Sequence, residues 1–162
     1  MEKTQTGTRR ELNLSQIPDT PLANFKTIRF GEIQYSPQQV IRMDRGILGF
    51  EKRKLYTIIE RPEDFPFKWL QSLDDPALAF VIMDPLLFKP DYRVQISPAE
   101  AELIQAGDVS KCVVFVIISV PTDPSEMTAN LLGPIILNTE KRLATQVVLS
   151  DQEYTTRHRV IN

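Results

Sequence analysis

Two adjacent carboxylates, Asp74 and Asp75, stand between two apolar stretches in FKWLQSLDDPALAFVIMDP, residues 67–85. A carboxylate pair can transfer protons, bind a metal ion, form a turn or face a partner. Proton transfer requires a pKa shifted by burial and a neighbouring group that orients the carboxylate. Successive strand residues point to opposite faces, so Asp74 and Asp75 converge only where the chain bends. Pro76 follows directly, and Asp beside Pro favours a turn over acid–base chemistry.

The residue types that most catalytic and metal sites require are scarce in this chain. It has a single Cys, Cys112, inside an apolar run, and a single His, His158, near the C-terminus. A Ser or Cys nucleophile usually needs a nearby base, most often His, and a zinc site needs clustered Cys and His ligands. The sequence also lacks a glycine-rich phosphate loop before a helix. We therefore predict no catalytic residue, no metal, no cofactor and no enzymatic activity.

Four aspartates share one position in the pattern, at the end of an apolar run: Asp74, Asp75, Asp84 and Asp91. Asp accepts hydrogen bonds from nearby backbone N–H groups and Pro fixes φ, so the sequences DDP, DP and KPD predict turns. Two interpretations stay open from the residues alone. The aspartates form turns only, or they form turns and also present an acidic surface to a partner.

Three aromatic side chains near these aspartates are candidate apolar anchors for a partner: Phe67, Trp69 and Phe88. Aromatic residues are enriched among the side chains that dominate binding energy. Packing in the core is the alternative for each of them. The predicted partner-binding set therefore consists of these aromatics and the four aspartates.

A second notable stretch is GILGFE, residues 46–51. Its G-x-x-G spacing matches the RNA-binding loop of KH domains, but the flanking helices of that loop are missing. We therefore interpret the stretch as a turn whose Ile47 and Leu48 enter the core. The formal net charge of −2 and the pI near 5.5 also argue against direct binding of nucleic acid.

The elements that must position these residues are mostly short strands. Apolar runs punctuated by 12 prolines are typical of an all-β chain with many turns. About eight to ten strands are visible, and most links between them are too short for the crossovers that parallel neighbours need. The sequence therefore predicts a mainly antiparallel β-barrel or compact sandwich. It also predicts one short helix near residues 98–106, since Ser97 and Glu100 match a capping box and Pro98 suits the first turn.

The length of 162 residues suggests one folded domain. Residues 1–26 are polar, and we expect a flexible extension there, with an address or a binding arm as the alternative. Residues 27–162 are expected to form the β-barrel domain. The start of the chain lacks a signal-peptide pattern, and the longest apolar run, residues 112–118, is too short to cross a bilayer. We expect a soluble cytoplasmic protein that does not contact a membrane.

Four separate segments, in this order, resemble the flagellar assembly factor FliW family: GILGFE (46–51), FKWLQSLDDPALAFVIMDP (67–85), ANLLGPIILN (129–138) and ATQVVL (144–149). Tyr154, Arg157 and His158 extend the similarity, so that it covers roughly residues 28–160. The resemblance implies a small antiparallel β-barrel-like fold and a non-enzymatic role. It assigns no role to the first 26 residues.

The resemblance also implies two protein partners. Members of this family bind the carbon storage regulator CsrA, a small RNA-binding dimer, and block its repression of flagellin mRNA. They also bind flagellin, so that newly made flagellin occupies the factor and frees CsrA. A chaperone that acts on flagellin only, and a β-barrel that binds a small ligand, are the alternatives.

Overall fold

The computed structural model describes residues 21–151 and 153–161. Its single helix in these ranges, α1, is Pro98–Leu103. The strands in chain order are β1 Ala23–Thr27, β2 Gly31–Tyr35, β3 Ile41–Arg42, β4 Leu55–Ile59, β5 Lys68–Ser72, β6 Ala79–Met83, β7 Cys112–Ser119, β8 Thr128–Ala129, β9 Ile135–Asn138, β10 Leu143–Gln146 and β11 His158–Arg159. The chain is therefore mostly β, as predicted.

Seven of the strands close into a barrel. Strands β3 to β7 are antiparallel neighbours in sequence order, β7 pairs with β9, and β9 pairs with β10. The barrel closes where β10 runs parallel to β3, with Leu143 opposite Arg42. Strand β8 extends the sheet beyond β7, and β11 pairs with β8. The predicted mainly antiparallel β-barrel is confirmed, with one parallel contact at its closure.

The barrel interior is filled by apolar side chains that alternate along the strands. Tyr56, Leu70, Ile82 and Leu137 are buried in this cluster and belong to four different strands. Alternation along each strand places every second residue inside, so small barrels of this kind fill their interiors with side chains. The packed interior disfavours the alternative of a barrel that holds a small ligand at its centre.

Two further clusters pack against the outside of the barrel. One cluster contains Met83, Val116, Met127, Leu131 and Tyr154. Through it, the segment after β6 and strands β8 and β11 pack against the sheet. The other lies below α1 and contains Ile104, Ile136, Leu143 and Val147. Strands β7, β9 and β10 are therefore covered on both faces over much of their length, which explains their nearly continuous apolar sequences.

Helix α1 begins with the predicted capping box. Ser97 Oγ accepts a hydrogen bond from Glu100 N at 3.1 Å, and Glu100 Oε1 accepts one from Ser97 N at 2.7 Å. Pro98 occupies the first turn, where its missing N–H costs nothing. The structure therefore confirms the short helix, which ends at Leu103.

The folded part begins earlier than the sequence predicts. Strand β1 starts at Ala23, inside the range assigned to a flexible extension, and pairs with β2 as a separate hairpin. Ile28 at the tip of this hairpin donates its N–H to Pro76 O at 2.9 Å, so the hairpin is attached to the barrel. The boundary at residue 26 is therefore too late, and the remainder of the predicted extension, residues 1–20, lies outside the described residues.

Candidate functional site

Asp74 and Asp75 form the predicted turn between β5 and β6. Ser72 Oγ accepts hydrogen bonds from both backbone N–H groups, at 3.0 Å from Asp74 N and 2.9 Å from Asp75 N. Asp75 Oδ1 accepts a further bond from Ala77 N at 3.0 Å. Pro76 lies between these groups and limits the backbone at the bend. The turn interpretation of the DDP sequence is therefore correct.

The two carboxylates also attach this turn to the start of β4. Asp74 Oδ2 accepts hydrogen bonds from Lys54 N at 2.6 Å and Leu55 N at 2.9 Å. Asp75 Oδ2 lies 3.1 Å from Arg53 Nη2. The pKa of Asp75 is lowered, first by the Ala77 N–H and then by the Arg53 guanidinium. The carboxylates are thus engaged by the protein, and a lowered pKa is the opposite of what a general acid needs.

Replacing Asp74 tests whether its role is structural. Asp74→Ala leaves two backbone N–H groups without their acceptor, and we expect the melting temperature to fall by about 3 °C. Asp74→Asn is the matched control, because its amide oxygen still accepts these bonds while the charge is removed. We expect Asp74→Asn to keep both the melting temperature and the affinity for partners. A loss of partner affinity in a stable Asp74→Asn protein would show that the charge faces a partner.

Asp84 and Asp91 lie at the other end of the barrel. The turn with Asp74 precedes β6, whereas Asp84 follows it, and five strand residues span about 17 Å. Asp84 Oδ1 caps a short 3-10 turn by accepting a bond from Leu86 N at 2.9 Å. Asp91 pairs with Lys89 at 3.1 Å, and this cation lowers its pKa. The fold therefore separates the four aspartates into two groups, and they do not form one acidic face.

The three predicted aromatic anchors are half-buried. Trp69 packs edge-on against Phe30 with ring centroids 5.3 Å apart, and its Nε1 donates to Asp64 Oδ2 at 3.2 Å. Phe67 and Phe88 pack against the cluster outside the barrel that contains Met83 and Val116. Phe88 also stacks on His158, with ring centroids 5.9 Å apart. Much of each ring is therefore used in packing. The exposed remainder is small.

Two of these aromatics share an open cleft. Phe67 and Trp69 line a depression of about 680 Å³ together with Val81, Ile118 and Met127. Phe88 does not line it. The structure therefore brings together two of the three predicted anchors and leaves the third on a different part of the surface.

Asp91 belongs to a larger surface feature, which we call the acidic groove. The groove has a volume of about 740 Å³ and lies between the segment after Asp91 and the segment after β10. Its apolar lining includes Ile96, Val147, Val148 and Leu149. Its charged side chains are Asp91, Arg93, Glu100, Asp151 and Glu153. Four carboxylates and one guanidinium line the groove, and Lys89 pairs with one of these carboxylates, Asp91, so negative charge remains in excess.

Three of the acidic-groove residues were missed by sequence reasoning: Glu100, Asp151 and Glu153. Glu100 is visible in the sequence only as part of a capping box, and Asp151 and Glu153 follow the last apolar run without a motif. Their proximity to Asp91 depends on how α1 and the segment after β10 pack on the barrel. Within residues 21–151 and 153–161, no three potential ligands are close enough to hold a metal ion.

A helix long and apolar enough to cross a membrane is not found among the described residues.

The sequence was compared with families of known proteins, and the family model described as FliW protein matches residues 24–160. The chain is similar to a flagellar assembly factor FliW from Caldanaerobacter subterraneus subsp. tengcongensis, with 42% identity over 136 residues, which is 83% of this chain and 91% of that protein.

A second relative and a solved structure agree with this match. The flagellar assembly factor FliW of Treponema denticola is 37% identical over 136 residues, covering 84% of this chain and 92% of its own. A crystal structure of the flagellar assembly factor FliW superposes with a TM-score of 0.81 at 31% identity. That superposition covers 86% of this chain and 98% of the other, so the similarity extends over the whole barrel.

Proposed function

The chain belongs to the FliW family of flagellar assembly factors, and on that basis we propose that it acts in the cytoplasm as a partner switch. It binds CsrA and prevents it from repressing flagellin mRNA. It also binds flagellin, so that unexported flagellin releases CsrA. The protein performs no catalysis in this scheme, and it controls translation through the partner it holds.

The observation that carries the proposal is the family match over residues 24–160, and the acidic groove supports the choice of CsrA. An RNA-binding protein presents basic surface, because Lys and Arg neutralise the phosphates. The groove offers the opposite charge, and complementary potentials raise both the rate and the specificity of association. Carboxylates placed beside an RNA site also repel the phosphates, so a factor that docks next to the RNA weakens RNA binding without filling its site.

The apolar segment LLGPII, residues 131–136, does not offer a groove for a flagellin helix. Leu131, Ile135 and Ile136 are buried in the core, so this stretch has a structural role. A flagellin helix must therefore contact another surface. An amphipathic helix typically binds through apolar side chains spaced along one face.

Purified CsrA, flagellin and flagellin leader RNA test the proposal directly. We expect the protein to bind CsrA in calorimetry, to release the leader RNA from CsrA, and to show no affinity for that RNA alone. Adding flagellin is expected to restore the CsrA–RNA complex. Binding to flagellin without any binding to CsrA would instead establish the alternative of a chaperone that acts on flagellin only.

A further inference from the structure

The turn between β3 and β4, which we call the glycine turn (residues 46–51), is held by hydrogen bonds from several sides. Gly46 N donates to Met43 O at 2.9 Å, and Phe50 N donates to Ile47 O at 2.6 Å. Gly49 N donates to Glu51 Oε2 at 2.9 Å. Two of its residues, Gly46 and Gly49, have positive φ angles of 65° and 91°. The backbone of this turn is thus fixed by hydrogen bonds within the connection between β3 and β4.

The tip of the glycine turn is also attached to the barrel. Leu48 N donates to Gln146 Oε1 at 2.8 Å, and Gln146 Nε2 in turn donates to Gly133 O at 3.0 Å. At the end of the connection between β3 and β4, Asp74 Oδ2 accepts hydrogen bonds from Lys54 N and Leu55 N. Asp74, which the sequence offered as a candidate for acid–base chemistry, therefore helps to fix the chain that follows the glycine turn.

The glycine turn exposes apolar side chains that the sequence assigns to the core. Ile47 is buried as predicted, but Leu48 is 72% exposed and Phe50 is 42% exposed. The ring of Phe50 packs edge-on against that of Phe80, with centroids 5.2 Å apart, and this contact limits the movement of Phe50. A fixed turn loses little conformational entropy when a partner covers it, so apolar groups placed here are pre-organised for binding. The prediction that Leu48 enters the core is wrong, because its backbone N–H bond to Gln146 leaves the side chain outside.

The unpaired charges in and beside the glycine turn are positive on balance. Arg45 and Lys52 are exposed, and neither forms an ion pair with another described residue. Two nearby carboxylates are engaged in ion pairs, since Asp44 pairs with Arg42 and Asp75 pairs with Arg53. The carboxylate inside the turn, Glu51, accepts a hydrogen bond from Gly49 N. An occupant of this surface is therefore expected to combine apolar side chains with acidic ones.

We propose that the glycine turn is a docking site for an amphipathic helix of a protein partner, with carboxylates beside its apolar stripe. This inference rests on the proposed function and assigns the helix to flagellin, because Arg45 and Lys52 repel the basic surface of CsrA. CsrA then takes the acidic groove, which shares no residue with the turn, so that flagellin releases CsrA through overlap of the two bound partners and not through shared contact residues.

Substitution of the exposed leucine tests this assignment. We expect Leu48→Ser to weaken the binding of purified monomeric flagellin at least tenfold, about 1.4 kcal/mol, in calorimetry. CsrA affinity is expected to stay within twofold. Val109→Ser is the matched control, because Val109 is 70% exposed on the connection after α1, away from the turn. Arg45→Glu with Lys52→Glu is expected to weaken flagellin binding most at low salt.

Each other outcome has a defined meaning. Equal flagellin affinity in wild type, Leu48→Ser and the double charge variant overturns this inference and leaves the proposed function intact. Failure of the wild-type protein to bind flagellin overturns both the flagellin part of the proposed function and this inference. Equal losses for CsrA and flagellin overturn the assignment of separate surfaces. Binding to phosphatidylglycerol vesicles that Leu48→Ser abolishes, with flagellin affinity unchanged, would identify a lipid surface as the occupant. Because Leu48 is exposed, its variant is expected to keep the wild-type melting temperature.

Discussion

Gly46→Ala is expected to destabilise the protein by about 3 kcal/mol, which lowers the melting temperature by about 9 °C. The φ angle of Gly46 is +65°, which is unfavourable for a residue with a Cβ. A Cβ at this position would also lie 2.7 Å from Glu51 Cα and 2.9 Å from Glu51 O. These are backbone atoms on the other side of the glycine turn, so they cannot move aside without opening it. Thermal and urea denaturation measure the loss.

Gly49→Ala separates the two causes of this destabilisation. Gly49 has a φ of +91°, but a Cβ there meets nothing within 4 Å. We therefore expect Gly49→Ala to cost only the backbone strain, about 1 kcal/mol. Equal losses in the two variants would show that the close approach of Glu51 contributes nothing. Because Gly46→Ala also displaces Leu48, it is expected to reduce flagellin binding in the fraction of protein that stays folded.

Charge reversal in the acidic groove is expected to weaken CsrA binding about 100-fold. Asp91→Lys with Glu153→Lys places two cations where the structure has two exposed carboxylates. Each reversal replaces an attraction to a basic partner by a repulsion, and about 1.4 kcal/mol per position gives the combined factor. The effect is expected to shrink between 50 mM and 500 mM salt, because exposed charges are screened. Calorimetry at the two salt concentrations measures it.

A matched double variant separates the position of the charges from the total charge of the protein. Glu32→Lys with Glu126→Lys changes the net charge by the same amount at exposed residues outside the acidic groove. We expect this control to bind CsrA with an affinity within threefold of wild type. If both double variants lose affinity equally, long-range charge rather than the groove determines binding. Flagellin affinity is expected to stay unchanged in the groove variant, because the glycine turn is intact.

Sequence reasoning about the candidate sites succeeded where the relevant contacts are local. The DDP turn and the Ser97 capping box depend on groups within a few residues of each other, and both are present. Sequence reasoning did not find that Asp74 binds the backbone of residues 54 and 55. That contact depends on the pairing of β4 with β5, which places Tyr56 opposite Ser72. The neighbouring Asp75 is nevertheless paired with Arg53, so its charge is less available to a partner than its sequence position suggests.

Sequence reasoning was less successful for the predicted acidic face, which depends on contacts between residues far apart in the chain. Asp74, Asp75, Asp84 and Asp91 have the same local pattern, yet β6 separates them into two groups. Asp91 instead joins Glu100 and Glu153, which no pattern in the sequence relates to it. Leu48 was assigned to the core because it is apolar, but the hydrogen bond to Gln146 fixes the turn with this side chain outside.

The sequence by itself determined the all-β class, the position of the short helix, the turns at the aspartates and the family. Each of these depends on local chemistry or on motifs in a fixed order: prolines between apolar runs, a capping box, and four segments that resemble FliW. Only the tertiary structure decided that β10 closes the barrel on β3, which carboxylates share a groove, and which apolar side chain reaches solvent. These features depend on contacts between residues far apart in the chain, and the pairing of strands selects those contacts from many that the local pattern permits equally well.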